Sequence, residues 1–130
     1  MTTKIDVPDT HTDLIEGPHT AVLTTVGADG LPQSTAVWYL VDDGVLKTSI
    51  TTDRQKYRNL VRNPKATLFI ADPANPYRTL EVRATIELAP DPDKVLLPKF
   101  AEAYSTPIEA LDTPGDRVIA TFTPVRVVAQ

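Results

Sequence analysis

The chain has 130 residues, 42% hydrophobic and 23% charged, with a formal net charge of −4 and no cysteine. This length suits one globular domain, residues 1–130, and the missing cysteines exclude disulfides, thiolate metal centres and a cysteine nucleophile. Two histidines argue against a metal site, no apolar run is long enough for a membrane span, and the N-terminus lacks an apolar signal segment. We therefore expect a cytoplasmic protein.

The charge is distributed unevenly along the chain. Residues 1–46 carry one basic and seven acidic residues, residues 47–83 carry eight and three, and residues 84–130 carry four and seven. An acidic protein with one basic island favours a local anion site over a nucleic-acid surface. Five cations with no acid among them form this island: Arg54, Lys56, Arg58, Arg62 and Lys65.

The N-terminal third predicts a short helix followed by three strands. Residues 9–16 predict a helix that ends at Gly17-Pro18. Because two tight turns join the three strands that follow, the sequence predicts an antiparallel meander. The predicted strands are residues 20–26, 32–41 and 45–50, with turns at residues 27–30 and 42–44.

The rest of the chain predicts mainly β structure. A helix is predicted over residues 54–62, and a helical stretch from about residue 90 to 104 is interrupted by Pro98. Six or seven short antiparallel strands with two or three short helices favour a small closed barrel. The further predicted strands are residues 66–71, 78–88, 118–123 and 125–129, the last two separated by Pro124.

The segment from residue 48 to 60 carries the strongest indication of a site. Hydroxyl side chains and a helix start precede closely spaced cations, of which Arg54 and Lys56 come first. Backbone N–H groups at a helix start, a guanidinium and an ammonium can together hold one or two phosphates. An ordinary solvated helix face would have the same composition, so both interpretations stay open.

A second candidate feature is the strand segment from residue 32 to 39. Small polar residues there precede Trp38 and Tyr39, so a flat heteroaromatic ring could lie against the strand. The alternative is that both aromatics pack in the barrel or at a subunit surface. His11 and His19 lie outside both features, and no nucleophile or nucleotide-binding motif is present. We assign no catalytic residue and expect a cofactor to carry the chemistry.

Taken in order, these motifs closely resemble the flavin/deazaflavin oxidoreductases of the pyridoxamine-5′-phosphate-oxidase-like superfamily. The short chain and the run from Arg54 to Leu60 are most similar to its F420-dependent actinobacterial branch. The chain departs from the vitamin B6 oxidases because it has no arginine-rich C-terminal segment, so pyridoxal phosphate synthesis is not expected. The motifs that carry the resemblance are Val22–Val26, Gly27–Gln33, Val37–Tyr39, Thr48-Ser49, Arg54–Leu60 and Asn63–Ala66.

The resemblance implies a split β-barrel of the FMN-binding type, a homodimer with two cofactor grooves at its interface. It places the cofactor phosphate at Ser49, Thr52, Arg54 and Lys56. It packs the ring system against Gln33, Ser34, Thr35, Ala36 and Val37. It puts Asn59 beside the helix start, and Tyr77 at a position that borders the cofactor.

The resemblance also implies the activity, which is hydride transfer from reduced coenzyme F420 to an electron-poor small planar substrate. F420 carries a phosphodiester and an oligoglutamate tail, which would give the cations Arg58, Arg62 and Lys65 a role in binding. FMN has one phosphate and needs fewer cations. Two alternatives stay open: an FMN-binding oxidoreductase on the same fold, and a carrier of F420 or flavin without turnover. No metal, nucleic acid or membrane partner is expected.

Overall fold

A computed structural model describes residues 4–130. Residues 1–3, part of the N-terminal segment that underlies the cytoplasmic expectation, lie outside the described residues. No helix within residues 4–130 has the length and apolar character that a membrane span requires.

A 3₁₀ turn covers Asp9–His11. The helices are α1 Thr12–Glu16, α2 Gln55–Arg62, α3 Leu97–Ala103 and α4 Ile108–Leu111; the strands are β1 Ala21–Val26, β2 Pro32–Val37, β3 Leu40–Asp42, β4 Val45–Thr51, β5 Lys65–Asp72, β6 Asn75–Pro90 and β7 Arg117–Ala129.

The strands form one antiparallel seven-stranded sheet in the order β2-β1-β5-β6-β7-β4-β3. Long strands β6 and β7 pair from Leu80 to Pro90 and form the centre of the sheet. The predicted mainly-β, split-barrel fold is confirmed. Strands β2 and β3 lie at opposite ends of the sheet, and only two residues of the chain separate them.

The core consists of the inward side chains of these strands, closed by α1 and α2. Strand β6 shows the alternation that the sequence predicts, with Leu80, Val82 and Ala84 buried and Arg83 exposed between them. Burying alternate apolar side chains stabilises a sheet that is covered on one face. Phe122 on β7 is the largest side chain that is completely buried.

The predicted continuous strand over residues 32–41 is wrong. The strand ends at Val37, and β3 resumes at Leu40 at the other end of the sheet. Non-local contacts hold this break: Thr48 Oγ1 donates to the carbonyl oxygen of Trp38 at 2.6 Å, and the Tyr39 N–H donates to the Tyr104 hydroxyl at 3.2 Å. The predicted three-stranded meander is therefore wrong as well, because β2 and β4 do not pair.

Two prolines act differently from the sequence prediction. Strand β7 continues through Pro124, opposite Ala84, and the register shifts beside it, so that Pro124 marks a bulge rather than a strand end. Pro98 lies in the first turn of α3. A backbone N–H at this position has no partner within the helix, so proline is tolerated there and helps to start the helix instead of interrupting it.

Candidate functional site

Two adjoining cavities lie between β2, the start of α2, and the segment that carries α3 and α4. The polar cavity has a volume of about 570 Å³, and the apolar cavity has a volume of about 300 Å³. They share the residues Ala36, Ser49, Lys56, Leu111 and Arg117. The polar cavity is further lined by Gln33, Thr35, Ile50, Thr51, Arg54, Gln55, Ala110 and Thr113; the apolar cavity by Thr20, Val37, Trp38, Thr48, Leu97 and Phe100.

The first turn of α2 brings two cations to the polar cavity. Arg54 is the residue before the helix, and no side chain caps the helix start. Lys56 reaches across to β2, where its Nζ donates to Thr35 Oγ1 at 3.3 Å. Burial lowers the pKa of Lys56, and the nearby charge of Arg54 lowers it further. Both effects oppose a positive charge, so a bound anion would relieve them.

A buried amide fixes the orientation of Gln33. Asn59 on α2 is completely buried, and its Nδ2 donates to Gln33 Oε1 and to Thr25 Oγ1, each at 3.1 Å. Its Oδ1 accepts a hydrogen bond of 2.8 Å from Gln55 Nε2. Because the Gln33 oxygen faces Asn59, the Gln33 amide nitrogen is the group left to face the polar cavity. Asn59 therefore acts on the cavity through Gln33, since its own side chain reaches no surface.

Strand β2 offers an open backbone edge beside these side chains. It pairs with β1 on one side and is the last strand of the sheet on the other. The N–H and C=O groups on an open edge can hydrogen-bond to the edge of a flat heteroaromatic molecule. Gln33, Thr35 and Val37 alternate along this strand and line one or other cavity.

Aromatic side chains hold the wall of the apolar cavity. Trp38 stacks on Tyr104, with 4.2 Å between the ring centroids and an interplanar angle of 10°. The Tyr104 hydroxyl donates to the carbonyl oxygen of His19 at 2.8 Å, which ties the end of α3 to the chain before β1. Leu97 and Phe100 on α3 complete the apolar surface opposite Trp38.

Arg117, the first residue of β7, contributes a third cation to the cavities. Its register partner is Thr51 on β4, which also lines the polar cavity. Its guanidinium donates to Thr113 Oγ1 at 3.0 Å, to the carbonyl oxygen of Leu111, and over a longer 3.4 Å to Ser49 Oγ. Burial lowers the pKa of Arg117; the carboxylate of Asp112 counteracts this, while Arg54 adds to it.

The structure brings seven of the eleven predicted cofactor residues together around the cavities and leaves four outside their walls. Ser34 points to the opposite face of β2, where its hydroxyl lies 2.9 Å from Thr24 Oγ1. Thr52 donates its backbone N–H to Asp116, Asn59 is buried as described, and the Tyr77 side chain is 89% exposed. Direct cofactor contacts of all eleven residues stay predictions. The seven are Gln33, Thr35, Ala36, Val37, Ser49, Arg54 and Lys56.

Sequence reasoning missed Arg117, which lines both cavities. Arg117 is 63 residues from Arg54 in the sequence, and only the pairing of β7 with β4 brings it to the cavity. No local motif marks it. A signal did exist in its position, because a lone arginine directly precedes the apolar run that forms β7.

The histidines serve other parts of the fold. The His11 ring lies 2.7 Å from the carbonyl oxygen of Gln130 and 2.8 Å from Thr10 Oγ1, so it fastens the N-terminal helix to the end of β7. Within residues 4–130 no group of three or more potential metal-ligating histidine or carboxylate side chains occurs. Neither histidine lines the polar or the apolar cavity.

Comparison with known proteins identifies the family. The model of the family described as pyridoxamine 5′-phosphate oxidase matches residues 7–130, so the chain belongs to that family. A solved structure described as an F420 reductase is 39% identical, covers 95% of this chain and 100% of its own, and superposes with a TM-score of 0.84. The family and this similarity support an oxidoreductase type of function with an F420-type or FMN-type cofactor.

More distant structures share the fold alone. A conserved hypothetical protein from Mycobacterium tuberculosis is 24% identical over 97% of this chain and 85% of its own, with a TM-score of 0.78. The haem storage protein HutZ from Vibrio cholerae is 16% identical over 96% of this chain and 95% of its own, with a TM-score of 0.75. The same barrel thus serves proteins of different description, and the side chains of the site must decide function.

Proposed function

We propose that this protein is an F420-dependent reductase, whose polar cavity holds the phosphate end of the cofactor while β2 supports its ring. The observation that carries this proposal is the position of Arg54 and Lys56 at one cavity whose lining contains no carboxylate side chain among the described residues. The 39% identity with an F420 reductase supports the same choice of cofactor. Residues 4–130 would act as one cofactor-binding domain.

The residues present fit a phosphate-bearing cofactor. Lys56 is half-buried and forms no ion pair with any carboxylate in residues 4–130, so its charge is available to a bound anion. Arg54 can bind a phosphate through two N–H groups, and the Ser49 hydroxyl lies on the same wall. The exposed start of α2 adds favourable backbone dipoles.

Strand β2 and Gln33 would bind the ring of the cofactor. Gln33, oriented by Asn59, presents a donor to carbonyl or ring-nitrogen acceptors, and the open edge of β2 pairs with the rest of a planar ring edge. When bound, reduced F420 supplies a hydride to an electron-poor carbon of the substrate. The protein orients the reactants and excludes water from the apolar cavity, and it needs no nucleophile of its own.

FMN and a carrier role are the competing functions. FMN has one phosphate, so the further cations of α2 would have no partner on it. Arg58 and Arg62 make hydrogen bonds of 2.8 Å and 3.4 Å to Gln55 and Asn59, which keeps both guanidiniums on the α2 surface, where an anionic tail can pass. A carrier would bind F420 but leave its reduced form unchanged.

Turnover separates a reductase from a carrier. The purified protein is mixed with reduced F420 and, in separate reactions, a cyclic enone and a quinone, and reoxidation is followed by the return of F420 absorbance. We expect acceptor-dependent reoxidation that exceeds the rate without protein. Binding of F420 with no acceleration for any acceptor would assign the carrier role instead.

The lowered pKa of Lys56 predicts a pH dependence of cofactor binding. A group with a lowered pKa loses its proton below the usual lysine value of 10.5, and an uncharged amine no longer attracts phosphate. We therefore expect F420 affinity to fall as pH rises through a window that begins below 10.5. Lys56→Arg should remove this component, because arginine stays charged throughout.

The measurement is the F420 dissociation constant of both proteins over the alkaline range. Titration of the cofactor itself contributes equally to both proteins and cancels in their ratio. Parallel pH profiles would show that Lys56 does not meet the cofactor as a titrating cation.

We also propose that two copies pair through the outward face of β1 and β5. Val22 and Phe69 are cross-strand partners, each 39% exposed although each lies on a strand that has a neighbour on both sides. Ala36, the register partner of Val22 on β2, is exposed and borders both cavities. A partner seated on this face would bury the apolar pair and close the side of the cofactor groove.

A charge placed on this face should break the dimer. We expect the unaltered protein to have twice the chain mass by light scattering, and Phe69→Glu to have the mass of a single chain and weaker F420 binding. Val95→Glu is the matched control, because Val95 is 52% exposed, lies outside the proposed interface and lines neither cavity. A monomeric unaltered protein at micromolar concentration would overturn this arrangement.

A further inference from the structure

The apolar cavity has one polar end, and that end is cationic. Its wall consists of Val37 and Trp38 on one side and of Leu97 and Phe100 on the other. The charged side chains that line it within the described residues are Lys56 and Arg117, and no carboxylate joins them. The cavity therefore combines a flat aromatic wall with positive charge at the boundary with the polar cavity.

Arg117 keeps unused hydrogen-bonding capacity although its guanidinium makes three contacts. Its Nε is buried and lacks a hydrogen-bond partner, and its contact with Ser49 Oγ is long at 3.4 Å. No carboxylate oxygen of residues 4–130 lies within ion-pairing distance of its guanidinium. Burial disfavours the guanidinium charge, and the carboxylates of Asp112, Asp53 and Asp91 offset this only from beyond ion-pairing distance. An oxyanion in direct contact would stabilise the charge further.

Arg117 lines both cavities but belongs to a different element from the proposed phosphate contacts. Arg54 and Lys56 belong to the start of α2, whereas Arg117 begins β7. The Arg117 guanidinium donates hydrogen bonds to Thr113 Oγ1 and to the carbonyl oxygen of Leu111. These backbone and hydroxyl contacts fix the guanidinium at the edge of the apolar cavity. It is thus placed to meet a second molecule lying beside the cofactor.

We infer that the apolar cavity is the substrate site and that Arg117 selects flat, largely apolar substrates carrying a carboxylate or similar oxyanion. The inference rests on the proposed function in assigning the cofactor to the polar cavity. Trp38 and the α3 side chains would contact the flat body, and the Arg117 guanidinium would bind the oxyanion through Nη1, whose contact with Ser49 Oγ is long at 3.4 Å. The cavity volume of about 300 Å³ suits a small aromatic acid.

Trp38 provides a direct probe of this site, because it is the one tryptophan in the sequence and it lines the apolar cavity. The protein without cofactor is titrated with cinnamate and with cinnamamide, which share shape and differ in charge. Binding is followed by Trp38 fluorescence and checked by calorimetry. We expect cinnamate to bind about tenfold more tightly than the amide, the scale of one charge-assisted contact.

Substitution then assigns the preference to Arg117. In Arg117→Gln the tenfold preference should disappear, while Arg117→Lys should retain part of it. Arg126→Gln is the matched control, since Arg126 is an exposed arginine on the same strand. The unaltered protein tests the preference without any substitution, so a variant that fails to fold does not remove the test. Equal affinity for both compounds, or binding of neither, would overturn the inference.

Repeating the titration with saturating F420 separates this inference from the proposed function. We expect the preference for cinnamate to persist and Arg117→Gln to bind F420 nearly as the unaltered protein does. Displacement of cinnamate by F420, or a loss of F420 affinity in Arg117→Gln equal to that of Lys56→Ala, would make Arg117 a cofactor ligand and overturn the substrate role. Absence of F420 binding with an intact cinnamate preference would refute only the proposed cofactor.

Discussion

Replacing Arg54 and Lys56 together by alanine is expected to raise the dissociation constant for F420 roughly 150-fold or more. Each cation can form a charge-assisted hydrogen bond to phosphate, worth about 1.5–3 kcal/mol, so losing both costs about 3 kcal/mol or more. Lys56→Ala alone should cost about 1–3 kcal/mol. Fluorescence titration of F420 into each variant measures the effect.

The physical basis is the position of both residues at one cavity wall. Arg54 is exposed and brings charge, whereas Lys56 is half-buried and bonded to Thr35. Because the two charges already repel each other, their effects on binding should not add perfectly. Raising the salt concentration should weaken binding to the unaltered protein more than to the double variant, since salt screens the exposed charge.

Lys99→Ala is the control for the loss of a lysine. Lys99 on α3 is paired with Asp42 at 2.9 Å and lines neither cavity. This variant should bind F420 as the unaltered protein does. If the double variant also binds F420 normally, the phosphate site lies elsewhere.

Phe122→Ala is expected to lower the free energy of unfolding by about 3–5 kcal/mol. Phe122 is 0% exposed on β7, where its register partner is Ile86 of β6. Removing the ring takes away buried apolar area and leaves a space that strands held by two neighbours cannot easily close. Denaturant unfolding gives the free energy directly, measured at a fixed protein concentration because a dimer would make it concentration-dependent.

Val61→Ala is the matched change at the surface. Val61 is 61% exposed on α2, so its truncation should alter stability by no more than about 0.5 kcal/mol. A similar small effect for Phe122→Ala would mean that β7 does not pack at the centre of the barrel.

Sequence patterns predicted those parts of the fold that local chemistry determines. The Asp43-Gly44 turn has two residues with positive φ, the conformation that Asp-Gly sequences tolerate. Helix α2 ends at Arg62, before the Asn63-Pro64 pair that was expected to stop it. Alternation along β6 gave its buried face directly, because one side of that strand packs on the core.

Features that depend on distant pairing could not be predicted in the same way. The break at Trp38 and Tyr39 is held by Thr48, which is 10 residues from Trp38, and by Tyr104, which is 65 residues from Tyr39. Arg117 reaches the cavities only because β7 pairs with β4. Asn59 was expected near the cofactor on the basis of its helix, yet its place within α2 turns its side chain into the core toward Gln33.

Equilibrium titration of the purified protein with F420 and, separately, with FMN tests the central proposal most directly. Both cofactors fluoresce, so binding is followed through changes in their emission. The arrangement of Arg54, Lys56 and the cations along α2 predicts tight binding of F420, with FMN bound more weakly and F420 affinity more sensitive to salt. Tight binding of FMN together with no binding of F420 would contradict the proposal.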